Sequence, residues 1–151
     1  MGNYYELEKD GYTISTDPAK LNIATIHHYL SEESYWAQQV PRETVEKSIA
    51  NSLCFGVYIE KEQVGFARLV TDKTTFAYLA DVFILESHRG KGLSKWLVAG
   101  IHAHPELSGL RRWVLVTKDA HGLYRQFGWE ELSEETASRY MQKHTPNVYK
   151  K

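Results

Sequence analysis

The chain has 151 residues, of which 42% are hydrophobic and 25% charged, and its formal net charge at pH 7 is −1. This length fits a single domain, which we expect over residues 1–151, and the near-zero charge argues against a nucleic-acid-binding protein. Residues 1–10 are polar and acidic, and no apolar run approaches the roughly 18 residues of a membrane span. We therefore expect a cytoplasmic protein with no membrane partner.

Two residue types bear on redox and metal chemistry. Cys54 is the one cysteine in the sequence, so the chain forms no internal disulfide, and its apolar surroundings predict a buried small side chain. His27 and His28 are adjacent, whereas paired metal ligands on a helix prefer a spacing of three or four residues. We therefore expect no metal site.

The first third of the chain predicts a strand, a helix, a break and a second helix. Asp17 followed by Pro18 is typical of a helix start, with Asp as the N-cap and Pro in the first helical position. The break carries Tyr35 and Trp36. These elements are expected at Tyr12–Thr16, from Asp17 to Leu30, at residues 31–40 and at Arg42–Asn51.

Three strands joined by short polar turns follow, at Leu53–Glu60, Val64–Val70 and Phe76–Leu85. Such short turns predict an antiparallel meander. The third strand is apolar on both faces, which predicts a central strand covered on both sides. Strict alternation places Leu79 and Phe83 on the same face. Asp81 is the single charged residue of that strand.

A basic turn follows the third strand and opens a helix that presents Leu93, Trp96 and Leu97 at helical spacing. The first backbone N–H groups of a helix lack internal partners and attract anions, and Gly90 and Gly92 leave that backbone bare. The turn therefore suits a diphosphate. Neither the Walker pattern nor the dinucleotide-binding glycine pattern is present.

The last part of the chain predicts a strand at Trp113–Thr117, parallel to the one before the helix, and then a short helix at Gly122–Phe127. Gly128 stands where a helix end favours a left-handed residue. A final strand is expected at Trp129–Leu132, and residues 133–151 are left unassigned.

Two segments of the chain, one after the third strand and one after the parallel strand, resemble the GNAT superfamily of N-acetyltransferases. That family follows a buried strand with Arg/Gln-x-x-Gly-x-Gly/Ala and a helix, and later carries Ala-x-x-Leu-Tyr and Gly-Phe. The corresponding segments here are Ser87-His88-Arg89-Gly90-Lys91-Gly92 and Ala120-His121-Gly122-Leu123-Tyr124-Arg125-Gln126-Phe127-Gly128-Trp129. The resemblance covers roughly residues 12–132 and implies an α/β (α+β) fold with a mostly antiparallel sheet, a splayed parallel strand pair and flanking helices.

The resemblance also implies acetyl-CoA as cosubstrate, without a metal. In such proteins the pantetheine arm bonds to the open strand edge and the pyrophosphate binds the turn. The residues implied to bind the cofactor are Val82, Phe83, Ile84, Arg89, Gly90, Lys91, Gly92, Leu93, Ser94 and Thr117. Thr117 stands where many members have an Asn.

The implied reaction is transfer of the acetyl group to a primary amine of a small molecule or peptide. Tyr124 is expected to protonate the leaving thiolate. Asp81 is expected either as a base or ammonium anchor, or as a structural carboxylate paired with a cation such as Arg68. Tyr35 and Trp36 are expected to line the acceptor pocket. The alternative is an acyl-CoA-binding sensor without turnover, and a homodimer is an expected assembly because dimers are common in that family.

Overall fold

A computed structural model describes residues 3–150, so Met1, Gly2 and Lys151, which the single-domain prediction includes, lie outside the described residues. Within this range six strands form one mixed sheet in the order β1-β2-β3-β4-β5-β6. The strands are β1 (Glu6–Lys9), β2 (Tyr12–Ser15), β3 (Leu53–Ile59), β4 (Glu62–Thr71), β5 (Phe76–Ile84) and β6 (Arg112–Leu115). The helices are α1 (Ile23–His28), α2 (Arg42–Ala50), α3 (Leu93–His102), α4 (His121–Arg125) and α5 (Glu134–Ala137). None of the helices in residues 3–150 is long and apolar enough to cross a membrane.

The sheet confirms the predicted mixed architecture. Strands β1 to β5 pair with their neighbours in antiparallel fashion, while β5 and β6 are parallel and in register from Phe76–Arg112 to Leu79–Leu115. Beyond Leu79, β5 continues to Ile84 but β6 has ended. The parallel pair is therefore splayed at its carboxyl end.

Strand β1 was missing from the sequence prediction, which assigned no element to residues 1–10. It pairs with β2 across a two-residue turn, in which Asp10 and Gly11 have φ values of 52° and 84°. An Asp-Gly pair with two positive φ angles is a strong hairpin signal. The strand is polar because it lies at the edge of the sheet and only Leu7 packs on the core, from one face. This polar composition gave no strand signal in the sequence.

The first helix begins later than predicted. Asp17 does accept a hydrogen bond from the Ala19 backbone, but it caps only a 3-10 turn at Pro18–Lys20. A second cap, in which Asn22 accepts from the Thr25 backbone, starts α1. The chain then continues as a π-helix over Tyr29–Glu33.

A β-bulge in β5 reverses the predicted alternation of its side chains. The pairing with β4 shifts between Arg68–Ala80 and Phe66–Phe83, and Asp81 has a φ of 53°. An extra residue in one strand moves every later side chain to the opposite face. The prediction that Leu79 and Phe83 share a face was therefore wrong.

Two hydrophobic clusters cover the two faces of the sheet. The α3/α4 cluster joins β-strand residues such as Leu79 and Ile84 to Leu97 of α3 and Tyr124 of α4. The α1/α2 cluster comprises Ile26, Tyr29, Leu30, Ala37, Val40, Val45, Cys54, Phe66 and Phe83. Cys54 is buried as predicted, and burial raises the pKa of its thiol to about 12.

The predicted final strand at Trp129–Leu132 does not form, since this described segment has no regular secondary structure. Trp129 instead donates a hydrogen bond to His102 Nε2 at 2.9 Å and packs edge-on against Trp113 and Tyr124. These contacts turn the chain away from the edge of the sheet. Gly128 has a φ of 87°, as expected after α4.

Two histidines must be neutral to make their hydrogen bonds. The Trp129 indole donates to His102 Nε2, and the Glu106 backbone donates to His104 Nδ1 at 3.2 Å. Burial lowers the pKa of both side chains below the ordinary value of 6.5. Below pH 6.5 the unfolded chain therefore binds more protons than the folded one, and stability falls as the pH falls towards the lower folded pKa values.

We expect the free energy of unfolding, measured by urea titration, to decrease between about pH 7 and pH 5. Replacing both residues, His102→Gln and His104→Gln, should flatten this dependence because glutamine accepts a hydrogen bond without titrating. His144→Gln, at an exposed position, is the control and should leave the slope as it is. An unchanged slope in the double variant would contradict this explanation.

Candidate active site

The predicted phosphate turn has the geometry of an anion site. A 3-10 turn (Glu86–His88) leads to Gly90 and Gly92, whose φ values are 80° and 76°. Gly92 is the N-cap of α3 and no side chain caps the helix start. A Cβ added at either glycine would meet no protein atom within 4 Å, so both glycines border open space at the helix start, where the first amides lack partners within the helix.

The basic side chains of the turn make contacts that the sequence did not predict. Arg89 points back into the fold and donates to the Ile84 carbonyl at 2.9 Å and to the Tyr29 hydroxyl at 3.0 Å. Lys91 Nζ lies 3.3 Å from the Tyr12 hydroxyl, which also lies 2.9 Å from His88 Nδ1. The turn is thus tied to β2 and to the π-helix.

The strand edge predicted to bind pantetheine lies at the splayed end of the sheet. Val82, Phe83 and Ile84 have no partner in register on β6, while Phe83 and Ile84 pair with β4 on their other side. The Phe83 ring stacks on Tyr29 with a centroid distance of 4.0 Å.

Asp81 makes the pairing with Arg68 that was one of its two predicted alternatives. Arg68 Nε donates to Asp81 Oδ2 at 2.8 Å, and the two side chains are 19% and 11% exposed. Trp36 Nε1 donates to the other oxygen, Oδ1, at 2.8 Å. Both carboxylate oxygens therefore already accept a strong hydrogen bond.

Tyr35 and Trp36 span the opening between β5 and the end of β6. Trp36 reaches Asp81 on β5, while the Tyr35 hydroxyl accepts from the Lys118 backbone at 2.9 Å, three residues beyond β6. The Lys118 ammonium also lies over the Tyr35 ring, 5.6 Å from its centroid. The two aromatic residues are 51% and 40% exposed, so each covers the opening and also faces solvent.

Tyr124 is 7% exposed and lines a groove of about 700 Å³ with Thr117 and His121. Burial raises the pKa of its hydroxyl to about 12, with a smaller contribution from Tyr35. The hydroxyl is therefore protonated at neutral pH and can donate. The Thr117 hydroxyl accepts from the Ala120 backbone at 3.0 Å and so helps to start α4.

The structure thus gathers most of the predicted residues around the splayed end of the sheet. The contacts of Tyr29, Tyr12 and Lys118 were not predicted. Tyr29 lies in the helix predicted from Asp17 to Leu30, and no role was predicted for it there. The Lys118 contact uses a backbone amide, which carries no sequence signal.

Comparison with known proteins shows the family to which this fold belongs. The family model for the acetyltransferase (GNAT) family matches residues 23–129. A protein of Gibberella zeae inferred to be an acetyltransferase is 33% identical over 146 residues, which is 82% of this chain and 81% of that protein. A crystal structure from Xanthomonas campestris, of a protein assigned to the GNAT family, superposes with a TM-score of 0.89 at 42% identity and covers 95% of this chain and 100% of that one.

The fold is that of the GNAT acetyltransferases. The chain belongs to the GNAT acetyltransferase family. Among more distant structures, a GNAT acetyltransferase from Elizabethkingia anophelis with acetyl-CoA bound has a TM-score of 0.62 at 16% identity, and the match covers 83% of this chain and 80% of that one.

The ion pair of Asp81 supplies a stability test. Replacing Arg68 by Met leaves a carboxylate without its cation in a mostly buried site, and we expect a loss of about 3 kcal/mol in the free energy of unfolding. Adding Asp81→Asn should restore part of the loss, since the buried charge is then gone.

The matched control is Arg139→Met, which breaks an exposed pair with Glu135 in which the side chains are 70% and 80% exposed. Such pairs contribute little, so stability should barely change. Equal effects of Arg68→Met and Arg139→Met in chemical denaturation would refute the importance of the buried pair.

Proposed function

We propose that this protein is an N-acetyltransferase that transfers the acetyl group of acetyl-CoA to a primary amine in a ternary complex. The observation that carries the proposal is an uncapped, glycine-lined helix start that follows the splayed strand β5, with Tyr124 buried in a groove at the end of β6. A diphosphate at the helix start and an extended arm along the open strand edge fit these features together.

In this proposal, coenzyme A is held mainly by backbone groups. The amides of residues 89–94 bind the pyrophosphate, and Lys91 adds a positive charge from its place beside Tyr12. The pantetheine arm bonds to the backbone of Val82, Phe83 and Ile84. Thr117 lies at the far side of the opening, where its hydroxyl hydrogen remains available after it accepts from Ala120.

The chemistry begins when a neutral amine attacks the thioester carbonyl carbon. A backbone N–H of the open strand, with Phe83 the proposed donor, stabilises the oxyanion that forms. The C–S bond then breaks, and Tyr124 gives its proton to the leaving thiolate. Holding donor and acceptor side by side contributes much of the rate.

We assign Asp81 the role of an ammonium anchor. Its carboxylate has two lone-pair positions in addition to those used by Arg68 and Trp36, so it can accept one more hydrogen bond from an arriving amine. The proton released by the amine then leaves through water or through His121, which lines the groove, and a proton from water restores the Tyr124 hydroxyl.

The phosphate turn can be tested by adding a single methyl group. Gly92→Ala places a Cβ at a φ of 76°, a conformation that costs an L-residue about 1–2 kcal/mol, and sets the methyl in the space meant for phosphate. We expect calorimetric affinity for coenzyme A to fall by about tenfold or more.

The control for this variant is Gly109→Ala, where an added Cβ also meets nothing within 4 Å and φ is not positive. It should bind coenzyme A as the parent does. If the two variants bind coenzyme A equally well, the turn does not hold the phosphates.

The role of Tyr124 can be tested by removing its hydroxyl. Tyr124→Phe should bind acetyl-CoA normally, because the ring still fills its place, and should turn over about a hundredfold more slowly in a thiol-release assay across a panel of amines. The control is Tyr4→Phe, at an exposed tyrosine outside the groove. Equal rates for Tyr124→Phe and the parent would remove Tyr124 from the mechanism, and no thiol release with any amine would favour an acyl-CoA sensor.

A further inference from the structure

Tyr12 of β2 reaches the phosphate turn and is held by the core of the protein. Its side chain is 6% exposed and belongs to the α3/α4 cluster. Its backbone pairs with Lys9 of β1 on one side and with Ile59 of β3 on the other. The sheet therefore determines where the Tyr12 hydroxyl lies, although His88 and Lys91, which it contacts, are 76 and 79 positions away along the chain.

Two side chains of the turn meet this hydroxyl. Lys91 Nζ lies 3.3 Å from the Tyr12 oxygen and 5.9 Å from the centroid of its ring. His88 Nδ1 lies 2.9 Å from the same oxygen, and the two rings are edge to face, with an interplanar angle of 87°. We refer to Tyr12, His88 and Lys91 as the Tyr12 cluster.

The single proton of the phenol determines which atoms donate in the Tyr12 cluster. The Lys91 ammonium has only donors, so the Tyr12 oxygen accepts from it. The Tyr12 hydroxyl proton is then donated to His88 Nδ1, which places the proton of the neutral imidazole on Nε2. Among the residues that the structure describes, His88 Nε2 has no hydrogen-bond partner. One buried phenol thus presents an ammonium and an N–H donor, one on each side of Gly90 in the sequence.

We infer that the Tyr12 cluster binds a phosphate group of the coenzyme, with Lys91 and His88 as the contacting residues and Tyr12 as the residue that positions them. This inference rests on the proposed acetyl transfer, which makes coenzyme A the ligand of the turn. Coenzyme A carries a diphosphate and a separate 3′-phosphate on its ribose. Either group is an anion that an ammonium and an N–H donor can bind together.

Positioning matters because the contacting side chains would otherwise be free to move. Lys91 is exposed, and a lysine side chain loses much rotamer entropy when it is ordered. The buried hydroxyl orders it before the coenzyme arrives, so less of this cost falls on binding. Arg89 donates instead to the Ile84 carbonyl and the Tyr29 hydroxyl. Within residues 86–92, Lys91 and His88 are therefore the basic side chains that remain for an anion.

The positioning role is tested by removing the hydroxyl alone. Tyr12→Phe keeps the ring in the core, and the calorimetric affinity for coenzyme A should fall by about fivefold, because Lys91 and His88 lose their common partner. In the thiol-release assay, KM for acetyl-CoA should rise by the same factor while kcat stays as it is. A phosphate contact far from bond breaking is made equally in the ground state and the transition state.

Dephospho-coenzyme A, which lacks the 3′-phosphate, shows which phosphate group the Tyr12 cluster binds. A loss of affinity with coenzyme A alone supports binding of the 3′-phosphate. An equal loss with both ligands supports binding of the diphosphate.

The matched control is Tyr5→Phe, which removes a hydroxyl that donates to the Gly100 carbonyl of the same helix, α3, at 2.7 Å. It should bind coenzyme A as the parent does. A second comparison introduces Tyr12→Phe into a variant that already carries Lys91→Met and His88→Leu. Tyr12→Phe should then have almost no further effect, because Tyr12 acts through these two residues.

Two results would overturn the inference while the proposed function stands. One is parental affinity of Tyr12→Phe for coenzyme A. The other is a loss that Tyr5→Phe matches, or that persists at full size when Lys91 and His88 have been replaced. If neither the parent nor any variant binds coenzyme A, the proposed function fails and the inference fails with it.

Discussion

The site depends on one feature of the sheet, which is that the parallel pairing of β5 and β6 stops at Leu79–Leu115. Two residues later, Asp81 adopts a left-handed conformation and inserts a bulge into β5. A bulge bends and twists a strand, so β5 diverges from β6 beyond it. The backbone of the following residues is left without a neighbouring strand on the β6 side, and this open edge is where the proposed function places the pantetheine arm.

The same bulge determines what surrounds the opening. It turns Phe83 to the face that carries α1 and α2, where Tyr29 stacks on it. It also presents Asp81 to Arg68 and Trp36. Asp81 is thus both a strained residue and a mostly buried charge. Its ion pair with Arg68 offsets the cost of its left-handed φ.

The phosphate turn and the opening are mechanically connected. Arg89 binds both the Ile84 carbonyl at the end of β5 and the hydroxyl of Tyr29, whose ring rests on Phe83. A cation of the turn is thus used to fix the end of the strand rather than to face solvent. The positive charge of the turn then comes from the uncapped helix start and from Lys91, whose ammonium is positioned by the Tyr12 hydroxyl.

The sequence by itself determined the meander, the parallel strand, the helix start at Gly92 and the placement of Tyr124 in a short helix. Each of these features rests on local signals, namely turn residues, apolar periodicity and glycine positions. It missed β1 despite the Asp-Gly turn, and it placed a strand at Trp129–Leu132 where the hydrogen bond of Trp129 to His102 directs the chain elsewhere. Only the tertiary structure decided the bulge and the contacts that follow from it. A bulge is set by pairing between strands, and the bonds of Asp81 join residues that lie 13 and 45 positions away along the chain, so no local pattern records them.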